Sequence, residues 1–226
     1  MRIPAVAVAT LAAFAVAVVP SLAHASGKPQ AEPPTPSSAQ VLAELKAGNQ
    51  RESTGHPTHP HTSVSWRSTL TSGQHPHAVL LTCADSRVAP ELVFDQGFGD
   101  LFDVRVAGNI ADDAVIASIE YAVEHLHAPL VVVMGHQKCG AVSAANAGGE
   151  PEGHLSALVG PILPAIEKAK TLPGDRVENA VRINVENVVA QLKASQPVLA
   201  GKVSAGHLQI VGAVYSLDTG KVQWLP

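Results

Sequence analysis

Two short, unbroken apolar runs each deliver the chain to a metal-capable side chain. Residues 78–82 read AVLLT and lead straight into Cys83. Residues 130–134 read LVVVM and lead through Gly135 to His136 and Cys139. Runs this short and this apolar suit strands buried on both faces, the situation of a parallel sheet covered by helices on either side. The intervening sequence supplies those helices. Ile116, Ile119, Ala122, Val123 and Leu126 recur at helical spacing, 140–147 is small and Ala-rich, and 155–170 and 177–194 read as helices. Further strands are expected at 101–106 (LFDVRV) and 208–216 (LQIVGAVYS), and the turn 217–220 (LDTG) folds the latter onto a hairpin partner at 221–225. A helix over 38–48, closed by Gly48, and a polar loop over 51–64 holding His56, His59 and His61 precede the first strand. The pattern predicts an α/β fold: a mainly parallel central β-sheet flanked by helices, with a C-terminal hairpin strand.

The amino end is of a different kind. Met1-Arg2 is followed by an Ala/Val/Leu-rich run from residue 3 to 19, then Pro20-Ser21 and Ala23-His24-Ala25. That order of charged start, apolar run and A-x-A site predicts a secretory signal over 1–25, cleaved after Ala25, and an exported protein, extracellular or periplasmic. Residues 26–37 (SGKPQAEPPTPS) read as a disordered lead-in, and 38–226 as a single domain. No later apolar run approaches membrane-spanning length, so no membrane partner is expected after cleavage. A formal charge of -4, without a basic block or stripe, argues against nucleic acid as a partner. Two cysteines cannot form a disulfide framework.

The chemistry gathers where the two apolar runs end. Cys83 with Asp85 and Arg87 follows the first, and His136 with Cys139 follows the second, so all five sit at the carboxyl ends of strands, where open parallel sheets form ligand sites. Two thiolates and one imidazole make a zinc site with three protein ligands, Cys83, His136 and Cys139, leaving one tetrahedral position open for water or substrate. His136 and Cys139 are three residues apart, which lets both face one point at a helix start, where the helix dipole favours the Cys139 thiolate. Asp85 can accept a hydrogen bond from water on the metal, and Arg87 can fix that carboxylate and keep it ionised. Zinc then activates the water near neutral pH. Two thiolates offset the dication, so activity should rise toward alkaline pH.

Plainer readings exist for each part. A cysteine after an apolar strand packs as a small hydrophobe. Asp85 and Arg87 can be a structural ion pair, and in an exported protein Cys83 and Cys139 can oxidise to a disulfide. The joint arrangement at two strand ends favours the metal, which would also protect the thiols outside the cytosol.

At these residues the sequence resembles the β-class carbonic anhydrases. That family's CxDSR and HxxC motifs stand intact at 83–87 and 136–139, supported by resemblances at 45–51 (LKAGNQR), 98–109 (FGDLFDVRVAGN), 120–123 (EYAV) and 212–220 (GAVYSLDTG). The resemblance implies zinc-dependent reversible hydration of CO2 to bicarbonate and a proton, with one Zn2+ per subunit held by Cys83, His136 and Cys139 and a dyad of Asp85 and Arg87. It also implies a homodimer or dimer of dimers with sites at the subunit interface. Members whose aspartate occupies the fourth position carry a Trp before the cysteine; 74–82 has none, which matches the open, plant-type site. In that pattern Gln74 donates to a bicarbonate oxygen, and Phe102, Ala107 and Tyr121 form an apolar wall for CO2, with Ala107 where Val is usual. The scaffold also allows hydrolysis of a CO2 analogue, carbonyl sulfide or carbon disulfide. Outside the family, a non-catalytic exported zinc-binding protein and a Cys83–Cys139 redox protein are the alternatives; the Asp85–Arg87 pair argues against the first and the lack of a CxxC against the second. Two departures from the family remain. His56, His59, His61, His75 and His77 would be solvated loop residues, proton shuttles or ligands for extra metal, and Ser216 stands where the hairpin usually has Asp.

Overall fold

The computed structural model describes residues 36–226; the expected leader, and the lead-in up to residue 35, lie outside them. In chain order the elements are α1 (Ser38–Ser53), α2 (Val64–Thr69), β1 (Ala78–Thr82), α3 (Pro90–Val93), β2 (Leu101–Arg105), α4 (Asp113–His125), β3 (Leu130–His136), α5 (Gly140–Ala147), α6 (Ser156–Ala169), α7 (Arg176–Ala194), α8 (Val198–Ser204), β4 (Gln209–Tyr215) and β5 (Val222–Trp224). The strands form one sheet in the order β2-β1-β3-β4-β5. All neighbours are parallel except β4 and β5, which form the antiparallel hairpin. The expected fold class is the observed one.

The apolar runs read as they do because β1 and β3 are buried along their whole length. Their alternate side chains feed two cores. Val79, Leu81, Val131 and Val133 meet α4 and α7 on one face. Ala78, Leu80, Leu130, Val132 and Met134 meet α1 and α3 on the other. Each of these Val, Leu and Met side chains contributes about 1.5–3 kcal/mol relative to exposure. β2 lies at the sheet edge, where Arg105 is exposed, but the Asp103 carboxyl is buried with Oδ1 unpartnered, and burial and Glu91 push it up to about 7.

Four local differences from the sequence reading have physical causes. α1 does not stop at Gly48 but runs to Ser53. Gly48 is there for close approach, since a Cβ at that position would lie 1.8 Å from the Phe94 carbonyl oxygen. The polar loop is shorter than expected, with α2 capped by Ser63, whose Oγ accepts from the Trp66 amide at 3.1 Å. β3 continues two residues further, pairing Gly135 with Val214 and His136 with Tyr215. Finally, α8 emerges from a Pro- and Gly-bearing stretch that hides its periodicity; it buries Leu199 completely.

The loop after α1 wraps two buried carboxylates. Asp95 accepts from the Thr58 and His59 amides and from Arg51 Nε at 2.6 Å. Burial pushes the Asp95 carboxyl up, but those donors outweigh it and hold it at about 2. His61 Nδ1 lies 2.8 Å from both oxygens of Asp100, and its ring stacks on Trp66 at 3.9 Å. His61 is thus an anchored side chain and not a freely solvated one.

Gly48→Ala separates two opposing effects. An alanine normally stabilises a helix interior by about 1 kcal/mol relative to glycine. Here the clash with Phe94 should reverse the sign and cost about 2–3 kcal/mol in urea unfolding; a gain in stability would show that α1 and the Phe94 turn are not in contact.

Candidate metal centre

β1 ends at Thr82 and Cys83 follows; β3 ends on His136, and Cys139 is the N-cap of α5. The parallel register brings these positions side by side at the carboxyl edge of the sheet, as β1 and β3 pair Thr82 with Met134. All three side chains are buried, and their ligand atoms lie within 4.8 Å of one another. Among the described residues no other group of three His, Cys, Asp or Glu side chains offers such convergence, the histidine-bearing loop included. Both thiols are free, with Sγ atoms 3.9 Å apart. That spacing is near the ~3.8 Å expected of two thiolates on one tetrahedral zinc and well beyond a disulfide bond.

The imidazole is set up to coordinate. Nδ1 of His136 donates to the Gln137 carbonyl at 2.9 Å, which leaves Nε2 with its lone pair. Nε2 is buried and has no hydrogen-bond partner. Burial lowers the proton affinity of His136, but the Cys83 thiolate beside it outweighs that and raises it. The pocket therefore favours a cation at this point. Cys83 is held below the ordinary thiol range by its contact with the Cys139 thiol, by His136 and by the Gly108 amide, which approaches its Sγ at 3.3 Å. Cys139 is pushed up by Cys83 and by burial, with the Val142 and Ala141 amides at the start of α5 acting in the opposite sense. The two sulfurs thus differ in sense, Cys83 favouring the thiolate and Cys139 the thiol, and a bound metal ion would favour the thiolate at both. Buried thiolate, thiol and orphaned imidazole nitrogen together fit a zinc ion.

Asp85 faces this cluster from the loop 83–88. Its Oδ1 accepts from Arg87 N at 2.9 Å and Arg87 Nε at 2.8 Å, and its Oδ2 from Arg87 Nη2 at 2.7 Å. The Arg87 guanidinium holds the Asp85 carboxyl far below the usual carboxylate range. Oδ2 lies 3.8 Å from His136 Nε2, so an ionised carboxylate borders the space where the three ligands converge.

Two residues that hold the backbone around this site were not singled out from the sequence. Arg105, the last residue of β2, donates from Nη2 to the carbonyls of Cys83 at 3.3 Å, Asp85 at 2.8 Å and Val88 at 2.9 Å. Asn184 Nδ2, buried in α7, donates to the Gly108 carbonyl at 2.9 Å and so steadies the amide that faces Cys83. Gly108 itself needs a positive φ of 75°, and a Cβ there would meet Ile162 Cδ1 at 2.7 Å. The available signals were an Arg ending an edge strand and an Asn amid the apolar face of α7.

The substrate-pocket residues divide. Ala107 adjoins Gly108 and so lies beside Cys83. Phe102 instead pairs with Val79, four residues before Cys83, or about 13 Å toward the amino edge at ~3.3 Å per residue. Tyr121 packs against Phe102 with ring centroids 6.2 Å apart, and Gln74 is exposed in the segment leading into β1, beside His75 and His77. Within one chain, then, Phe102 and Tyr121 pack together away from the cluster that they were expected to line. Ser216 Oγ accepts from the Thr219 amide at 3.3 Å within the hairpin turn.

Comparison with known proteins gives one answer. A family model described as carbonic anhydrase matches residues 78–222. Carbonic anhydrase 2 of Mycobacterium tuberculosis is 45% identical over 181 residues, covering 78% of this chain and 87% of the relative. Carbonic anhydrase of Mycolicibacterium smegmatis is 43% identical, covering 79% and 89%. Among solved structures, a tetrameric β-carbonic anhydrase from Sordaria macrospora superposes with a TM-score of 0.66 at 25% identity, covering 83% of this chain and 94% of that one. The Coccomyxa β-carbonic anhydrase, solved in complex with acetazolamide, gives 0.65 at 27% identity, covering 83% and 85%.

Arg105→Gln removes the clamp on the loop 83–88 without touching a ligand atom. The variant should fold but hold zinc about 10- to 100-fold more weakly, measured by transfer to a competing chelator. Retention equal to wild type would show that the loop holds its shape unaided.

Proposed function

The chain belongs to the β-class carbonic anhydrases, and from that membership we propose that it catalyses the zinc-dependent, reversible hydration of CO2 to bicarbonate and a proton. The observation that carries this reading is the buried, unpartnered Nε2 of His136 beside two free thiols. Cys83, His136 and Cys139 would hold one zinc per subunit. Bound there, zinc supplies a Lewis acid that makes a coordinated water acidic enough to act as nucleophile near neutral pH.

The chain's own groups orient the reaction. Asp85 accepts a hydrogen bond from the attacking water at Oδ2 and turns its lone pair toward CO2. Its proton affinity is too low for it to keep the proton, which passes on to solvent or buffer. Arg87 keeps that carboxylate ionised and fixed through three donors. Ala107, with its short side chain, leaves apolar room beside Cys83 for a small molecule without net dipole. Cys83 and Cys139, both as thiolates, offset the ion's charge and set the working range toward alkaline pH.

Gln74, Phe102 and Tyr121 complete the pocket of a second copy of the chain in this reading. In support, Phe102 and Tyr121 lie toward the other end of the sheet from their own cluster, Gln74 is exposed, and Tyr121 remains 47% exposed despite its apolar ring. The Sordaria relative is tetrameric.

Stopped-flow CO2 hydration with zinc analysis tests the central reading. Wild type should carry about one zinc per chain and hydrate CO2 faster as pH rises; Cys83→Ser should lose both metal and activity. Asp85→Asn should keep zinc and lose activity by about 10²-fold. Because Asp85 is ionised from acid conditions upward, it should add no acidic limb of its own. Zinc-loaded wild type without hydration activity, or a rate flat from mildly acid to alkaline pH, would overturn the assignment.

Subunit mixing tests the shared pocket. A Gln74→Ala/Tyr121→Ala double variant and Cys83→Ser should each be poorly active alone. Unfolded and refolded together, they should exceed the sum of their separate activities, since a mixed dimer restores one complete site. No gain on mixing would confine the pocket to single chains.

A further inference from the structure

A second polar cavity, of about 170 Å³, lies beside the metal centre and takes no part in the reaction described above. The first turns of α7 supply Glu178, Asn179 and Arg182, the β4–β5 hairpin supplies Val214, Ser216 and Gln223, and Gln137 closes it. The volume is several times the ~30 Å³ share of a water, enough for a small oxyanion and its accompanying solvent.

The groups lining it are of two kinds. Arg182 is a half-buried guanidinium with no carboxylate within salt-bridge distance among the described residues; one nitrogen, Nη2, donates to Gln223 Oε1 at 3.1 Å. Its remaining donors and the Ser216 hydroxyl proton are available to an anion. The same cavity is also lined by acceptors. Gln137 Oε1 is buried with no hydrogen-bond partner. Glu178 uses Oε1 for the Lys138 amide at 3.0 Å, which leaves its other oxygen free. A bare anion would satisfy Arg182 but would meet Gln137 Oε1 and Glu178 as repulsive oxygens. An anion that keeps a proton satisfies both sides, accepting from Arg182 and donating its O–H to Gln137 or Glu178.

We propose that this cavity is a binding site for a small oxyanion that retains a proton, namely hydrogen phosphate or bicarbonate. Discrimination comes from the free carboxylate oxygen of Glu178, with the unpartnered amide oxygen of Gln137, lining the same cavity as the unpaired guanidinium of Arg182. The site borders the metal centre through backbone groups: the Gln137 carbonyl receives the His136 Nδ1 proton, and Glu178 holds the Lys138 amide. Arg182 lies outside the groups assigned to CO2 hydration, so binding here is measurable whatever the protein does with CO2.

Two pairs of anions alike in shape but differing in the proton provide the test: phosphate against sulfate, and bicarbonate against nitrate. Each is titrated calorimetrically, at constant ionic strength, into the zinc-loaded full chain and into Arg182→Gln and Arg182→Lys. Wild type should bind the protonated member of at least one pair at least about tenfold more tightly than its proton-free counterpart, the value of one well-made hydrogen bond to a charged group. The tighter of phosphate and bicarbonate identifies the ligand. Arg182→Gln should lose that binding while keeping zinc content and CO2 hydration, and Arg182→Lys should recover part of it. Residual binding in Arg182→Gln measures the metal centre's own affinity for the anion. Equal binding by wild type and Arg182→Gln, or no preference for the protonated member in either pair, would overturn the proposal.

Discussion

A buried imidazole nitrogen without a partner, beside two buried sulfurs, is the constraint around which this molecule is arranged. Such a cluster is costly to bury, because a desolvated imidazole lone pair lacks a partner. Every neighbouring device lowers that cost in the direction of a bound cation. The Gln137 carbonyl fixes the His136 tautomer, the Gly108 amide faces Cys83, and the start of α5 faces Cys139. Arg105 and Asn184 then secure the backbone that carries these groups. The site is preorganised by main chain held from behind, so its geometry depends on strand register as much as on the three ligands.

That dependence explains what could be read from the chain alone. Two apolar runs ending at Cys83 and His136 place the ligands at one sheet edge, because parallel strands in register end together. Asp85 and Arg87 are two residues apart in the same loop, so their pairing is local and needs no long-range knowledge. Contacts that cross between elements carry no comparable signal. Gly48 looks like a helix terminator until the Phe94 carbonyl is seen against it. Arg105 looks like an exposed edge-strand residue until the loop 83–88 is seen to bend over it. α8 is hidden because Pro197, Gly201 and Gly206 obscure its periodicity, while its burial rests chiefly on the single side chain of Leu199.

The substrate wall shows the same limit at a larger scale. Phe102 and Ala107 are five residues apart in sequence and were expected to share one pocket. β2 separates them, with Phe102 facing α4 near the amino edge and Ala107 beyond the carboxyl edge. A straight strand cannot bring both to one point within a single chain, which is what favours the proposal that the pocket is shared between copies. Sequence order names such residues without saying which chain they serve.

Charge clarifies why Asp85 comes with its own arginine. Cys83 and Cys139 as thiolates cancel a bound dication, so an additional carboxylate beside it would be a net negative charge in a poorly hydrated setting. Left alone, Asp85 would respond by taking up a proton or by approaching the metal. Three donors from Arg87 oppose both responses, since they stabilise the ionised form and hold both carboxylate oxygens at the guanidinium and its own amide. Were zinc held by Cys83, His136 and Cys139, a carboxylate already engaged by Arg87, a residue that contributes no ligand, would leave the fourth position to water.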